Sequence, residues 1–175
     1  MTGSDPIHSP TQPFESIREG GSDPYPPYTE RMRVLRAVLD AIAAHARRDS
    51  PRECCGLLIG TEDDVIEAVA TGNVAAEPLR HYQVSPIDHF AQIKRYRELG
   101  TERATAVNVI GVYHSHPHSA PKPSPTDLEE AFEDFLYLIA GPVDGSAPLE
   151  IRAYRLQAGQ FEDVQLAPIP AGEEA

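Results

Sequence analysis

The chain has 175 residues, a formal net charge of -12 at pH 7 and a sequence pI near 4.9. This acidic balance argues against a binding surface for nucleic acid or for an anionic membrane, because both partners attract basic side chains. The length is that of one domain with a hydrophobic core of its own.

The cysteines and the start of the chain bear on its location. Cys54 and Cys55 are the only two cysteines, and such neighbours form a strained disulfide, which is consistent with a reducing compartment. The amino terminus lacks a basic stretch followed by an apolar run, and no segment reaches the roughly 18 apolar residues that cross a bilayer. We therefore predict a cytoplasmic protein without a membrane segment.

Composition divides the chain into three parts. Residues 1–28 contain six prolines among scattered glycines and serines and few large aliphatic residues, which predicts a disordered tail. A single folded domain is predicted over residues 29–167. Residues 168–175 are short, acidic and rich in proline and alanine, and we expect them to form a frayed carboxyl-terminal tail.

The first half of the domain shows alternating helical and strand patterns. Apolar residues at helical spacing predict an amphipathic helix over residues 30–48. Two apolar runs at 54–60 and 64–71, separated by a polar turn, predict a hairpin, and residues 81–85 predict a further strand. Ser85, Pro86 and Asp88 form a helix-start signal, so a second helix is predicted over residues 86–99.

The second half contains a β-rich run from Val107 that ends before Pro117, because proline cannot donate to a sheet ladder. A third helix is predicted to begin at Ser124, where serine, proline and aspartate repeat the helix-start signal. Three more strands complete the set, at residues 135–141, 149–156 and 161–166. The elements indicate a layered α/β domain with a mixed sheet, since several connections are too short for crossovers.

A cluster of metal-ligand residue types follows the β-rich run. His114 and His116 are two apart at a strand end, so both side chains leave the same face. Asp127, in the first turn of the third helix, supplies a carboxylate, and this donor set suits zinc with a fourth position open for water. Two other interpretations remain open: the histidines as ordinary polar residues at a loop edge, and Ser124 with Asp127 as a capping box that needs no metal.

These residues resemble the signature of the JAMM (MPN-plus) zinc metallopeptidases. That signature is His-Ser/Thr-His-Pro, six residues, Ser, two residues and Asp, and the chain has it at residues 114–117, Ser124 and Asp127. The family also carries a glutamate shortly before an apolar strand. In the segment PRECCGLLIG that residue is Glu53, followed by the family's usual Cys-Gly at residues 55–56.

The resemblance implies a fold and a set of roles. The fold would be a layered α-β-α domain with a curved, mixed, largely antiparallel sheet similar to that of cytidine deaminase. One Zn²⁺ would be bound by His114, His116 and Asp127. Glu53 would move the proton from the attacking water to the departing amine, and Ser124 would hydrogen-bond the oxyanion. Without the resemblance, Glu53 would be interpreted as an exposed glutamate at a strand entrance.

The resemblance covers residues from about 30 to about 166 and points to the prokaryotic branch of the family. Members of that branch hydrolyse the bond after the carboxyl-terminal Gly-Gly of ubiquitin-like or sulfur-carrier proteins, and some release cysteine. We expect a free sheet edge near the His-Ser-His strand, to which an extended Gly-Gly tail would add. The alternatives are a metal-free scaffold that binds a partner protein, and a zinc hydrolase of small peptides or amides.

Overall fold

The computed structural model describes residues 30–100 and 107–170. Within them the chain forms three helices, α1 Arg36–Asp49, α2 Pro86–Gly100 and α3 Pro125–Glu129. It also forms seven strands: β1 Arg31–Leu35, β2 Cys55–Gly60, β3 Asp64–Thr71, β4 Asn108–Ser115, β5 Leu136–Gly141, β6 Glu150–Gln157 and β7 Gln160–Ile169.

The strands form one mixed sheet that closes on itself in the order β1-β3-β2-β4-β5-β6-β7. Closure occurs because β1 pairs in parallel with both β3 and β7. The β4 and β5 pair is also parallel, and the other four pairs are antiparallel, so the predicted mixed and largely antiparallel sheet is confirmed. Both sides of β4 are occupied, by β2 and β5. The expectation of a free edge beside the histidine strand is therefore wrong for the described strands.

The two long helices cover opposite faces of the central strands. Val38 and Ile42 of α1 belong to the same buried cluster as Leu58 of β2. The neighbouring residue Leu57 points the other way and joins a cluster that contains Tyr96 of α2. This alternation follows from the two-residue period of a strand. It produces the predicted α-β-α layering, with the core on both sides of β2 and β4.

Two predicted elements differ from the structure. The start of the predicted 30–48 helix is strand β1, in which buried Met32 and Val34 alternate with exposed residues and pair with β7. The predicted strand at residues 81–85 is reduced to one isolated bridge between Asn73 and Val84. In this segment the Asn73 side chain donates to the His81 carbonyl and accepts the Gln83 N–H, where a strand would pair with a neighbouring strand.

The two predicted tails fall largely outside the described residues. Residues 1–28 lie wholly outside them, as do residues 171–175 of the carboxyl-terminal segment. The first two residues of that segment, 168–169, are the end of strand β7.

Candidate active site

Three side chains converge where β4 ends and α3 begins. The Nε2 atoms of His114 and His116 lie 3.1 Å apart. The carboxylate of Asp127 faces both rings, with Oδ1 3.3 Å from His114 Nε2 and Oδ2 3.5 Å from His116 Nε2. The three residues that the sequence pattern selected as ligands thus lie together. His114 is near the end of β4, His116 is in the loop that follows, and Asp127 is in the first turn of α3.

Local sequence chemistry positions the carboxylate. Ser124 is the N-cap of α3: its Oγ accepts the Asp127 N–H at 3.1 Å, and its own N–H donates to Asp127 Oδ2 at 2.6 Å. The Asp127 carboxylate therefore has two roles at once: it completes the capping box of α3, and it lies against the two histidines. Gly141, at the end of β5, leaves room for the backbone of the loop that contains His116, since a Cβ at Gly141 would lie 2.7 Å from the His116 carbonyl oxygen.

The donor set fits a zinc ion. His114, His116 and Asp127 are 0%, 8% and 7% exposed, and one donor atom from each lies within 4.8 Å of the others. Two imidazole nitrogens and a carboxylate oxygen are the ligand types of open, three-residue zinc sites. The alternative of ordinary polar residues at a loop edge does not fit this burial.

The two imidazole rings are held by different contacts. His116 Nδ1 donates to the carbonyl oxygen of Ala120 at 3.1 Å, which directs Nε2 into the site. His114 Nδ1 is buried without a hydrogen-bond partner among the described residues. Instead, the His114 ring stacks on Tyr82, with centroids 4.1 Å apart and planes 14° apart. Tyr82 carries no motif in the sequence, and its contact with the site is visible only in the fold.

Glu53 lies beside these residues although it is far from them in the chain. It is 7% exposed, so the interpretation as an exposed glutamate is wrong. The following residue, Cys54, connects it to the end of β4: Cys54 N–H donates to Ser115 Oγ at 2.9 Å, and Ser115 N–H donates to the Cys54 carbonyl at 3.1 Å. These bonds bring the glutamate into the pocket that holds His116 and Asp127.

The surroundings shift the pKa values of Glu53 and Asp127 in opposite directions. Burial raises the pKa of Glu53 to about 7, an effect that His116 opposes and Asp127 reinforces. Burial also disfavours the ionised form of Asp127, but hydrogen bonds from His114 and His116 outweigh it and hold its pKa well below the usual range. One carboxyl is thus suited to exchange protons near neutral pH, while the other stays ionised.

A pocket of about 350 Å³ opens onto these groups. Glu53, His116, Ser124 and Asp127 are among the residues that line it. Residues 79–82 and residues 117–119, from two different loops, also line it. A reacting bond that entered it would therefore meet a proton-exchanging carboxyl, a hydroxyl and two of the three candidate metal ligands.

The chain matches a known protein family over most of its length. Residues 35–157 match the family described as prokaryotic homologs of the JAB domain. The chain belongs to this family, and the predicted membership of the prokaryotic JAMM/MPN branch is confirmed.

Named relatives and a solved structure agree with this assignment. A desampylase from Haloferax volcanii is 33% identical over 146 residues, which span 79% of this chain and 97% of the relative. A CysO-cysteine peptidase from Mycobacterium tuberculosis is 35% identical over 130 residues, 72% of this chain and 84% of the relative. The solution structure of a protein from Desulfitobacterium hafniense, 24% identical, matches with a TM-score of 0.69 over 81% of this chain and 95% of that one. This last likeness concerns the fold alone.

Proposed function

We propose that the chain is a zinc-dependent peptidase that hydrolyses the amide or isopeptide bond after the carboxyl-terminal Gly-Gly of a ubiquitin-like or sulfur-carrier protein. The single observation that carries the proposal is the convergence of His114, His116 and Asp127 beside a pocket that Glu53, His116 and Asp127 line together. The alternative of a metal-free scaffold gives no reason to bury this donor set beside a glutamate whose pKa is raised.

The chemistry divides among a few groups. When bound, zinc supplies a Lewis acid that polarises a carbonyl and lowers the pKa of water. Glu53, whose pKa lies at about 7, would accept the proton of the attacking water and deliver it to the departing amine nitrogen. Ser124 Oγ accepts from the Asp127 N–H, so its own hydroxyl proton is available for the oxyanion.

Two features support a small carrier protein as the substrate. The relatives include a desampylase and a CysO-cysteine peptidase, and the latter name states that its substrate is CysO-cysteine. A Gly-Gly tail also suits a pocket of about 350 Å³ lined by two loops, because glycine brings no side chain into it. Release of free cysteine and release of a lysine side chain both require an amine that leaves an acyl-glycine, so the proposed chemistry is the same for both.

Intact-mass spectrometry tests the proposal directly. A sulfur-carrier protein that bears cysteine on its terminal Gly-Gly is incubated with zinc-loaded wild type and, in parallel, with Glu53→Gln. We expect the wild type to remove one cysteine and the variant, with zinc still bound, to remove it only at a small residual rate that needs a high enzyme concentration to measure. Cleavage of short glycine-containing peptides with no action on any carrier or isopeptide conjugate would favour a small-peptide hydrolase. Inactivity on all three substrates would favour the scaffold.

The cellular location stays a prediction. In the described parts of the chain, no helix has the length and apolar character needed to cross a membrane. A cytoplasmic site of action would suit carrier proteins made and used there, and fractionation of cells that express the tagged chain would test it.

A further inference from the structure

The loop between β3 and α2, residues 72–85, contacts the backbone of Glu53 at two points. The Glu53 N–H donates to the Pro78 carbonyl at 2.8 Å. The Glu53 carbonyl accepts a hydrogen bond from Asn73 Nδ2 at 2.9 Å. Because β2 begins at Cys55, Glu53 lies outside the strand, and these loop contacts occupy both of its backbone groups.

Asn73 uses the full hydrogen-bonding capacity of its amide in this loop. Besides the Glu53 carbonyl, Nδ2 donates to the His81 carbonyl at 2.9 Å. Oδ1 accepts the N–H groups of Ala75 and Gln83, each at 3.0 Å. Two donors face two carbonyls and one oxygen faces two N–H groups, so the orientation of the amide is determined by its partners. No other residue type of this size offers both functions.

The consequence concerns the distance between Glu53 and the candidate metal ligands. Ser115 fixes Cys54 on the β4 side, and Asn73 fixes the Glu53 carbonyl on the opposite side. The same amide holds the His81 carbonyl, next to the Tyr82 ring that stacks on His114. One side chain therefore bonds the backbone both at the glutamate and next to the tyrosine that stacks on a histidine.

We propose that Asn73 is a positioning residue that fixes Glu53 relative to His116 and Asp127 through its hydrogen bond to the Glu53 carbonyl. This inference rests on the proposed role of Glu53 in proton transfer. Asn73 does not line the pocket that contains His116 and Asp127, and its amide does not transfer protons. Its main effect on turnover passes through the glutamate, because a misplaced general base loses its hydrogen-bond reach to the reacting groups.

Asn73→Asp is the sharpest variant. It keeps the size of the side chain but turns the group that faces the Glu53 and His81 carbonyls from a donor into an acceptor. The two carbonyls then lose their partner and meet a negative charge. Glu77→Gln is the matched control, since it exchanges a carboxyl for an amide in the same loop at an exposed side chain. Asn73→Ala is the second variant, and it removes the bonds without repulsion if Asn73→Asp fails to fold.

A double-mutant cycle separates positioning from a general effect on the fold. Wild type, Asn73→Asp, Glu53→Gln and the double variant are assayed on the carrier with terminal Gly-Gly-Cys, with zinc affinity measured against a competing chelator. We expect Asn73→Asp to lower kcat by about 10 to 100-fold with KM and zinc affinity nearly unchanged. In the Glu53→Gln background it should lower the residual rate no further. Glu77→Gln should match the wild type.

A crystal structure of the variant supplies a readout that is independent of activity. We expect the Glu53 carboxyl to move relative to His116 and Asp127 by about 0.5 Å or more, the tolerance within which catalytic groups must be held. An unmoved carboxyl, an unchanged kcat, or an equal further loss in the Glu53→Gln background would each overturn the inference. Full activity of Glu53→Gln alone would instead overturn the proposed role of the glutamate, so the two failures are distinguishable.

Discussion

The aromatic ring of Tyr82 lies almost parallel to the imidazole of His114, with ring centroids 4.1 Å apart and planes 14° apart. Because His114 Nδ1 has no hydrogen-bond partner among the described residues, this stack supports the plane of the ring where a hydrogen bond from Nδ1 does not. His116 differs, since its Nδ1 donates to the Ala120 carbonyl. The two histidines thus depend on different neighbours for their orientation.

Loss of the Tyr82 ring should weaken metal binding. Tyr82→Ala removes the stacking surface, so we expect the zinc affinity to fall by roughly 10-fold, at the lower end of losses seen when groups that orient a ligand are removed. Tyr82→Phe keeps the stack and should bind zinc like the wild type. Competition with a chromogenic chelator measures both constants. Equal affinity of Tyr82→Ala and wild type would show that the stack has no such role.

Ser124 should contribute separately to stability and to turnover. Ser124→Ala removes the acceptor for the Asp127 N–H, and loss of such a cap costs about 1 kcal/mol in the free energy of unfolding. If the hydroxyl also donates to the oxyanion, kcat should fall by roughly 100-fold as well. Urea unfolding and steady-state kinetics measure the two effects. Ser119→Ala, at an exposed serine of the same pocket, is the control. A loss of stability with an unchanged kcat would leave Ser124 as a cap only.

Metal removal should inactivate the protein reversibly and lower its melting temperature. The three donors are buried and face one another, so an ion that binds them adds its binding free energy to that of the folded state. His116→Ala should lose both zinc and activity. His118→Ala is the matched control, because His118 is exposed and contacts Asp144 at 3.1 Å instead. Full activity after metal analysis has verified complete removal would contradict the zinc mechanism.

His45 should make the stability depend on pH. It is 4% exposed in α1, with Nδ1 2.8 Å from the Tyr113 hydroxyl and Nε2 3.2 Å from Asp49. Burial lowers the pKa of His45, a shift that the Asp49 carboxylate opposes only in part. The unfolded chain therefore binds a proton at this position at a higher pH than the folded chain does.

The sign of the His45 effect follows from that difference. The contribution is complete above the unfolded pKa of about 6.5 and is lost as the pH falls below it, by at most about 1.4 kcal/mol per pH unit. Urea unfolding of wild type and His45→Gln at pH 8, 7, 6 and 5.5 measures it. We expect the two stability curves to converge as the pH falls. Parallel curves over this range would mean that His45 binds its proton equally in both states.

Much of the site was predictable because its determinants are local. His114 and His116 are separated by one residue at a strand end, and the strand period alone places them on one face. Asp127 follows a cap signal, so its place in the first turn of α3 could be read from Ser124 and the proline after it. The strands from β2 to β7 are short apolar runs between turn signals, and they lie close to where the sequence placed them.

The burial and the role of Glu53 could not be predicted from its local sequence. Only the resemblance to a family selected it among the glutamates, because nothing in its own segment shows that it is buried. Its burial results from the pairing of β2 with β4, which brings Cys54 against Ser115. Likewise, the residues of β1 belong to a stretch whose apolar spacing predicted a helix. They form a strand because they pair with β7, from the other end of the domain.

The sequence by itself thus determined the candidate metal ligands, the capping of α3 and most of the strands, since each depends on residues within one or two turns of the chain. The tertiary structure alone decided how the sheet closes, that Glu53 lines the same pocket as His116 and Asp127, and that one loop brings Asn73 to the Glu53 backbone and Tyr82 to the His114 ring. Those relationships join segments far apart in the chain. They arise from hydrogen bonds and packing that exist only after the strands have paired.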